Sequence, residues 1–461
     1  MECDVRVSDV RLYFIPVGTR TPLKFGPETT RETTCARAAV TVRTRDGKTA
    51  EGWGETLLSV ARTWPAELSY ESRRRALLEF CRMLAAEWRD FSDFGHPLEL
   101  GHAFLRGRLE AALTDFNVKR PVIEHMPWLA ALACCSIFDT ALHDAYGVAL
   151  GVPTYETYNK TYMNHDLADF YDPEYRLLFA GRYPGDFLMK PGADELSAWH
   201  IVGGRDPLEA SDLTGDEPDD GHPVLLADWI HRDGLRCLKI KLSGTDSGWD
   251  CGRIVRVGNI AVRHGADWLS ADFSCAVHDP GYVTSILDRL LAEHPRIYGM
   301  LLFVEQPFPG DLEKHLLDVH AVSARKPLFL DESAYDWKNL ALGRRLGWSG
   351  AALKTCKTQT GAILGLSWAK AHGMTLKVQD LANPMLAGIP HFQLAARAGT
   401  VMGVETSATQ FYPDASLPEA EVHPGLYSRR CGKITLKSLR GPGFGYRIGE
   451  IGRVLPEPEA L

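Results

Sequence analysis

From about Gly234 onward the chain settles into a repeating rhythm. Short apolar runs of strand length alternate with segments whose apolar positions recur at helical spacing. The runs read LRCLKIKL, DWLSADF, GMLLFVEQPF, KPLFLDES, GAALKTC, MTLKVQD and TVMGVETS. Segments such as GYVTSILDRLLAEHP and TGAILGLSWAKAHG separate them. This pattern predicts repeated βα units and a parallel sheet. The first hundred or so residues differ. There VRLYFIPV and ARAAVTVRTRDGKTAEGWGE read as strands with a hairpin turn at Asp46-Gly47, and helical periodicity follows over about 72–88 and 98–114. That opening block is α+β in character.

The polar residues that end the apolar runs are Lys241, Asp272, Glu305, Asp331, Lys354, Gln379 and Glu405, at separations of 31, 33, 26, 23, 25 and 26 residues. One βα unit of a closed barrel has about that length, since roughly 250 residues make eight units. In such barrels the C-terminal strand ends form the active-site face. An open doubly wound sheet fits less well, because no glycine-rich nucleotide turn follows any strand. SAWHIVGG, near 197–204, is expected to be the first barrel strand. The tyrosine-rich stretch before it is too long for one βα unit and reads as an insertion serving an interface or lid. The acidic loop LTGDEPDDGHP reads as solvated linker.

Composition narrows the partners. The chain has 461 residues, 45% hydrophobic and 24% charged, with a net charge of −8 and a pI near 6.1. The length suggests a large domain with a smaller one. No long basic run exists, so nucleic acid and anionic membranes are not expected partners. No apolar run is long enough to cross a bilayer, and MECDVRVSDV lacks the features of a signal peptide. Ten cysteines without C-x-x-C pairs or regular spacing read as reduced thiols of a cytoplasmic protein.

Asp272, Glu305 and Asp331 end three consecutive predicted strands. Converging carboxylates repel unless positive charge sits among them, and a hard divalent cation such as Mg²⁺ takes oxygen ligands while keeping positions open. One such acid alone would read as a helix cap or a surface ion pair; three in register favour a metal. Lys239 and Lys241 stand two apart and so face the same side of a strand. Lys241 ends the second strand and Lys354 the sixth, opposite one another in an eight-stranded barrel. Burial and nearby metal charge lower a lysine's pKa and let it act as a base near neutrality.

The set KIK at 239–241, ADF at 271–273, VEQPF at 304–308, LDES at 330–333 and LKTCKTQTG at 353–361 resembles the enolase superfamily. Within it, the chain resembles the mandelate racemase/muconate lactonizing enzyme family, closest to the muconate-lactonizing-enzyme-like branch. GWGE at 52–55, DTALHDAYGVALGVPTY at 139–155 and GPGFGYRI at 441–448 extend the likeness over nearly the whole chain. The resemblance implies an α/β architecture: a modified TIM barrel, (β/α)7β, with an N-terminal α+β capping domain. The cap would span 1–135, the barrel 136–415 with an insertion near 157–195, and a C-terminal return to the cap 416–461.

Carried over by position, the resemblance places metal ligands at Asp272, Glu305 and Asp331 and acid/base lysines at Lys241 and Lys354. Lys239 matches the lysine that steadies the substrate carboxylate. Lys357 is a rival for the sixth-strand base; Lys354 follows the apolar run directly and is preferred. Glu332 is expected to support a neighbouring lysine. Ser274 departs from the family's usual asparagine. Glu405 matches by position an acid that binds the substrate carboxylate in the mandelate-racemase-like branch, and fits equally a salt-bridged rim acid. Asp380 is a weaker candidate. Loops 17–26, with Lys24 and Phe25, and 54–65 are expected to set specificity.

The implied chemistry is Mg²⁺-dependent abstraction of the proton alpha to a carboxylate, giving a metal-stabilised enediolate, with Mn²⁺ as a possible substitute. Two opposed lysines point first to a racemase or epimerase acting on a small carboxylate-bearing substrate. Cycloisomerisation, and β-elimination as in o-succinylbenzoate synthase or acid-sugar dehydratases, are the alternatives. The seventh strand lacks the histidine those dehydratases often use. A non-catalytic scaffold is least favoured, since all three acids and both lysines are present. A homo-oligomer is the expected assembly.

Overall fold

The computed structural model describes residues 1–25 and 28–460. Three antiparallel strands open the chain: β1 (Val5–Phe25), β2 (Glu28–Thr44) and β3 (Thr49–Leu57). The hairpin between the last two turns at Asp46-Gly47, where Gly47 has φ +87°. Val5 and Val7, then Val10 and Leu12, point into one core; a register shift between Val7 and Asp9 accounts for the change of parity. That face covers helices Tyr70–Arg89 and Trp128–Leu150. The GWG motif belongs to this contact. A Cβ on Gly52 would fall 2.0 Å from Ala145 N, and one on Gly54 2.0 Å from Ile137 O. Only glycine lets β3 lie directly on the backbone of the long helix.

Eight parallel strands follow: β4 (Glu195–Val202), β5 (Cys237–Lys241), β6 (Trp268–Asp272), β7 (Leu301–Glu305), β8 (Leu328–Leu330), β9 (Gly350–Leu353), β10 (Thr375–Val378) and β11 (Val404–Glu405). Each pairs with the next, and β11 returns to pair with β4, so the sheet closes. The expected barrel and cap are the fold observed. A short strand, β12 (Lys433–Thr435), adds antiparallel to β4. Trp199, Cys237, Phe303 and Phe329 fill the lower interior of the barrel, with the two phenylalanine rings stacked 4.4 Å apart.

The tyrosine-rich stretch preceding β4 packs outside the barrel. Tyr171 donates to Leu364 O (2.8 Å) and meets Trp337 edge-on, and Tyr175 meets Trp368 edge-on. These partners lie on the helices that follow β8 and β9. The acidic loop is not free linker, as its composition suggested. Arg20 of β1 grips Asp220 with Nε and Nη2 (2.6 and 2.9 Å) and donates to the carbonyls of His222 and Pro223. Among the described residues no helix is long and apolar enough to cross a membrane. All ten cysteines are free thiols.

Candidate active site

The barrel's register brings the strand-end residues to one mouth. In β5, Lys239 and Lys241 alternate with the core residues Leu238 and Ile240, so both amines face the barrel axis. Lys241 is in register with Asp272, and Asp272 with Glu305, across three neighbouring strands. Asp331 and Lys354 directly follow β8 and β9. With β5 second and β9 sixth among eight, Lys241 and Lys354 stand on opposite sides of the ring.

Lys239 is at the centre of the charge network. Its buried Nζ lies 2.6 Å from Glu305 Oε1, 2.7 Å from Glu405 Oε1 and 3.0 Å from Asp272 Oδ2. Burial alone would favour the neutral amine, but Asp272, Glu305, Glu405 and Asp331 hold its pKa well above the lysine range. Lys239 is therefore a fixed cation. Asp272 is buried too, yet Lys239 and Lys241 keep it far below the carboxylate range. Glu305 goes the other way. Burial raises its pKa, and its acidic neighbours Asp272, Asp331 and Glu405 reinforce that against Lys239.

Lys241 donates to Asp272 and to Ser274 Oγ (3.0 Å) and keeps about a quarter of its side chain exposed. Ser274, at φ +48°, also donates N–H and O–H to Asp272 Oδ1. Lys354 Nζ lies 2.8 Å from both oxygens of Asp331. Burial opposes the charge on Lys354, but Asp331 and Glu332 hold its pKa above the lysine range. Lys357 reaches the same acid from further off: it donates to the carbonyl of Asp331 and, at 3.4 Å, to Asp331 Oδ1 and to the carbonyl of Ala334. Burial lowers its pKa. Both rivals thus contact Asp331: Lys354 lies 2.8 Å from its two carboxylate oxygens, while Lys357 stands 3.4 Å from one of them and also ties down the loop after β8.

The remaining candidates divide. Glu405 joins the network through Lys239, which occupies its Oε1. Glu332 is half-buried with Oε2 shielded from solvent and unpartnered, and desolvation and Asp331 raise its pKa; among the described residues it makes no hydrogen bond to a lysine. Asp380 accepts from Ala382 N, Asn383 N and Ser407 Oγ, which shapes the loop after β10. The side chains of Lys24 and Phe25 lie outside the described residues.

Three polar residues of the barrel interior went unassigned in the sequence. Gln306 bridges two strand ends: its Oε1 accepts from Asp331 N (2.7 Å) and its Nε2 donates to Phe308 O (2.9 Å). Gln379, noted only as a strand end, donates to Glu305. Lys377 is buried below the mouth, 4.2 Å from the Trp199 ring, with only long contacts (3.4 Å) to the Val401 and Met402 carbonyls. Burial pulls its pKa down to about 7. The one available signal was the period of two that links Lys377 of β10 to Gln379 just beyond its end.

The donor chemistry fits a hard divalent cation. Asp272, Glu305 and Asp331 end three neighbouring strands and offer carboxylate oxygens, the ligand type such an ion takes. As arranged here the ammonium groups do the neutralising, and among the described residues no three His, Cys, Asp or Glu side chains are grouped to hold a metal ion. A cation would bind Asp272, Glu305 and Asp331 only as Lys239 and Lys241 release Asp272.

No family model and no curated protein matches the chain. Solved structures share its fold along nearly the whole length. An enolase superfamily member from Roseovarius nubinhibens, complexed with magnesium, has 17% identity, 99% coverage of both chains and a TM-score of 0.59. The L-Ala-D/L-Glu epimerase of Bacillus subtilis has 18% identity, covering 99% of this chain and 100% of its own, at 0.58. The N-succinyl Arg/Lys racemase of Bacillus cereus has 15% identity, 95% coverage of both and 0.59.

Proposed function

We propose that this protein belongs to the enolase superfamily and is a Mg²⁺-dependent racemase or epimerase that removes and returns the proton alpha to a carboxylate. The observation that carries this reading is the pair Lys241 and Lys354, on opposite strands, each ion-paired to a different strand-end carboxylate. Structures of a racemase, an epimerase and a magnesium-bound superfamily member on the same fold support it.

Asp272, Glu305 and Asp331 would hold the ion, whose positive charge would offset the charge that builds on the substrate carboxylate as the alpha proton leaves. The chain's own residues do the rest. Lys239, held charged by four acids, places a permanent cation beside that carboxylate. Lys241 and Lys354 present one amine to each face of the alpha carbon; one takes the proton and the other supplies one to the opposite face, inverting the centre. Both pair with carboxylates here, so whichever lysine acts as the base must first lose its proton as substrate charge and metal charge redistribute the field, while the other keeps its own to deliver. Gln379 and Gln306 fix Glu305 and the start of the Asp331 loop so that the acids do not drift. Residues 17–25 and 54–65 set the size and polarity of the substrate, though the first stretch lies on strand β1 and the second begins on β3 rather than in loops.

The test is solvent exchange. The protein, Mg²⁺ and a panel of α-hydroxy acids, acid sugars, N-acyl amino acids and dipeptides are mixed in D₂O. Deuterium entering an alpha position from both stereoisomers supports two-base chemistry. Incorporation from one stereoisomer alone, with loss of water or ring closure, would assign a lyase or cycloisomerase. No incorporation from any compound would count against the reading.

A further inference from the structure

We infer that Asp139, on the long buried helix, is the positioning residue for the sixth-strand lysine, acting through Thr360; this rests on the role proposed for Lys354. After Lys354 the chain makes one tight turn, Thr355–Lys357, passes through Thr358 and enters helix Gln359–Ala371. Thr358 sits at φ +81°. A β-branched residue rarely adopts that conformation, which persists only where the surroundings impose it.

The surroundings that impose it converge on Asp139. Thr360 N–H donates to Asp139 Oδ2 (2.9 Å) and Thr360 Oγ1–H to Oδ1 (2.7 Å). His143 Nε2 meets Thr360 Oγ1 at 3.0 Å, and its Nδ1 meets the Tyr158 hydroxyl at 3.0 Å. Gln359 Nε2 donates to Tyr158 and Tyr155. With the Gln359 amide donating to Tyr158, one proton order satisfies the chain: Tyr158 donates to His143 Nδ1. His143 is then the Nε2–H tautomer and donates to Thr360, which donates to Asp139. Every arrow ends on one carboxylate, which can only accept.

Two further features show that the arrangement is built rather than incidental. Gly101 seals it from the side, since a Cβ there would stand 2.2 Å from Thr360 Oγ1 and 2.4 Å from Asp139 Oδ1. Asp139 also lies at the N-terminal end of helix Gln359–Ala371, where negative charge is favoured by the exposed N–H groups. Asp139 touches nothing at the mouth. Its effect is to hold the end of the strained turn, and with it the direction from which Lys354 reaches Asp331 and the substrate.

The test compares the full-length protein with Asp139→Asn, which keeps the shape but reverses one hydrogen bond, and with Thr360→Val, which removes the hydroxyl. Amide hydrogen exchange over residues 355–362 should quicken by about tenfold or more in both variants, with the cap strands unaffected. In D₂O, the kcat for alpha-proton exchange should fall about tenfold or more for the stereoisomer served by Lys354. It should stay within about twofold for the one served by Lys241, with KM unchanged in both. Equal loss in both directions, or unchanged amide exchange at 355–362, would overturn the inference. If the wild-type protein exchanges no alpha proton at all, the proposed function fails, and the amide exchange result alone decides the role of Asp139.

Discussion

Lys239 and Glu405 form a buried ion pair, 2.7 Å long, between the second and eighth strands of the barrel. The same ammonium serves Glu305 and Asp272. Removing it strands several carboxylates away from water, and breaking a buried pair by deleting one partner typically costs about 3–5 kcal/mol. Lys239→Met is expected to lose that much stability in urea unfolding. Added Mg²⁺ should restore part of it, because the ion replaces the missing positive charge. A variant as stable as wild type would show that Lys239 is not the charge on which the site depends.

Glu305 sits between the other two proposed ligands in the strand order, with burial and like charges already raising its pKa. Glu305→Gln should leave the barrel folded by circular dichroism while weakening Mg²⁺ by about tenfold or more in calorimetry, since one anionic oxygen donor becomes neutral. Unchanged affinity would remove Glu305 from the ligand set.

The two lysines after β9 should be told apart by exchange. Lys354→Met is expected to reduce alpha-proton exchange of one stereoisomer by about 10²-fold or more, the scale of a lost acid/base group, and to lower the melting temperature because Asp331 loses its nearest buried partner. Lys357→Met should keep exchange within a few-fold of wild type while destabilising by about 1–3 kcal/mol, because Asp331 and the carbonyl of Ala334 lose a donor.

Much of this was readable from the chain. β5 shows its two inward lysines because apolar neighbours separate them, and the acids at 272, 305 and 331 recur at the length of a βα unit. The sequence prefers Lys354 to Lys357 because it directly follows the apolar run, and the structure brings both amines to Asp331, at 2.8 and 3.4 Å. Lys377 drew no assignment from the sequence, because period alone does not reveal that it is buried and, among the described residues, without an ion-pair partner. The clasp of Arg20 on Asp220 and the bonds from Thr360 to Asp139 each join residues about 200 apart, a proximity that no local pattern encodes.

Lys377 gives a pH dependence with a definite sign. Burial lowers its pKa from 10.5 to about 7, and among the described residues no acid forms an ion pair with it. Between those values the unfolded chain holds a proton that the folded protein does not, so this residue's contribution to stability rises with pH across that window. Lys377→Met should therefore be more stable than wild type by up to about 4–5 kcal/mol near pH 7, the gap closing toward pH 10. Urea unfolding at pH 7, 8.5 and 10 measures it; a gap that stays constant over the three would contradict the depressed pKa.

Asp144, in the middle of the long helix, accepts the backbone N–H of Trp53 (2.9 Å) on one oxygen and that of Phe444 (2.7 Å) on the other. Close by, Arg37 pairs with Glu55 and Glu419, and Glu419 with Arg453 at 2.6 Å. Beginning and tail are thus wired into one another through buried charge. For anyone building chimeras, the cap is not a cassette. Moving residues 1–57 onto another barrel without 415–453 would carry Arg37 and Glu55 but leave Glu419 and Arg453 behind, burying a charged cluster with half its partners missing. A working graft has to move both ends of the chain together.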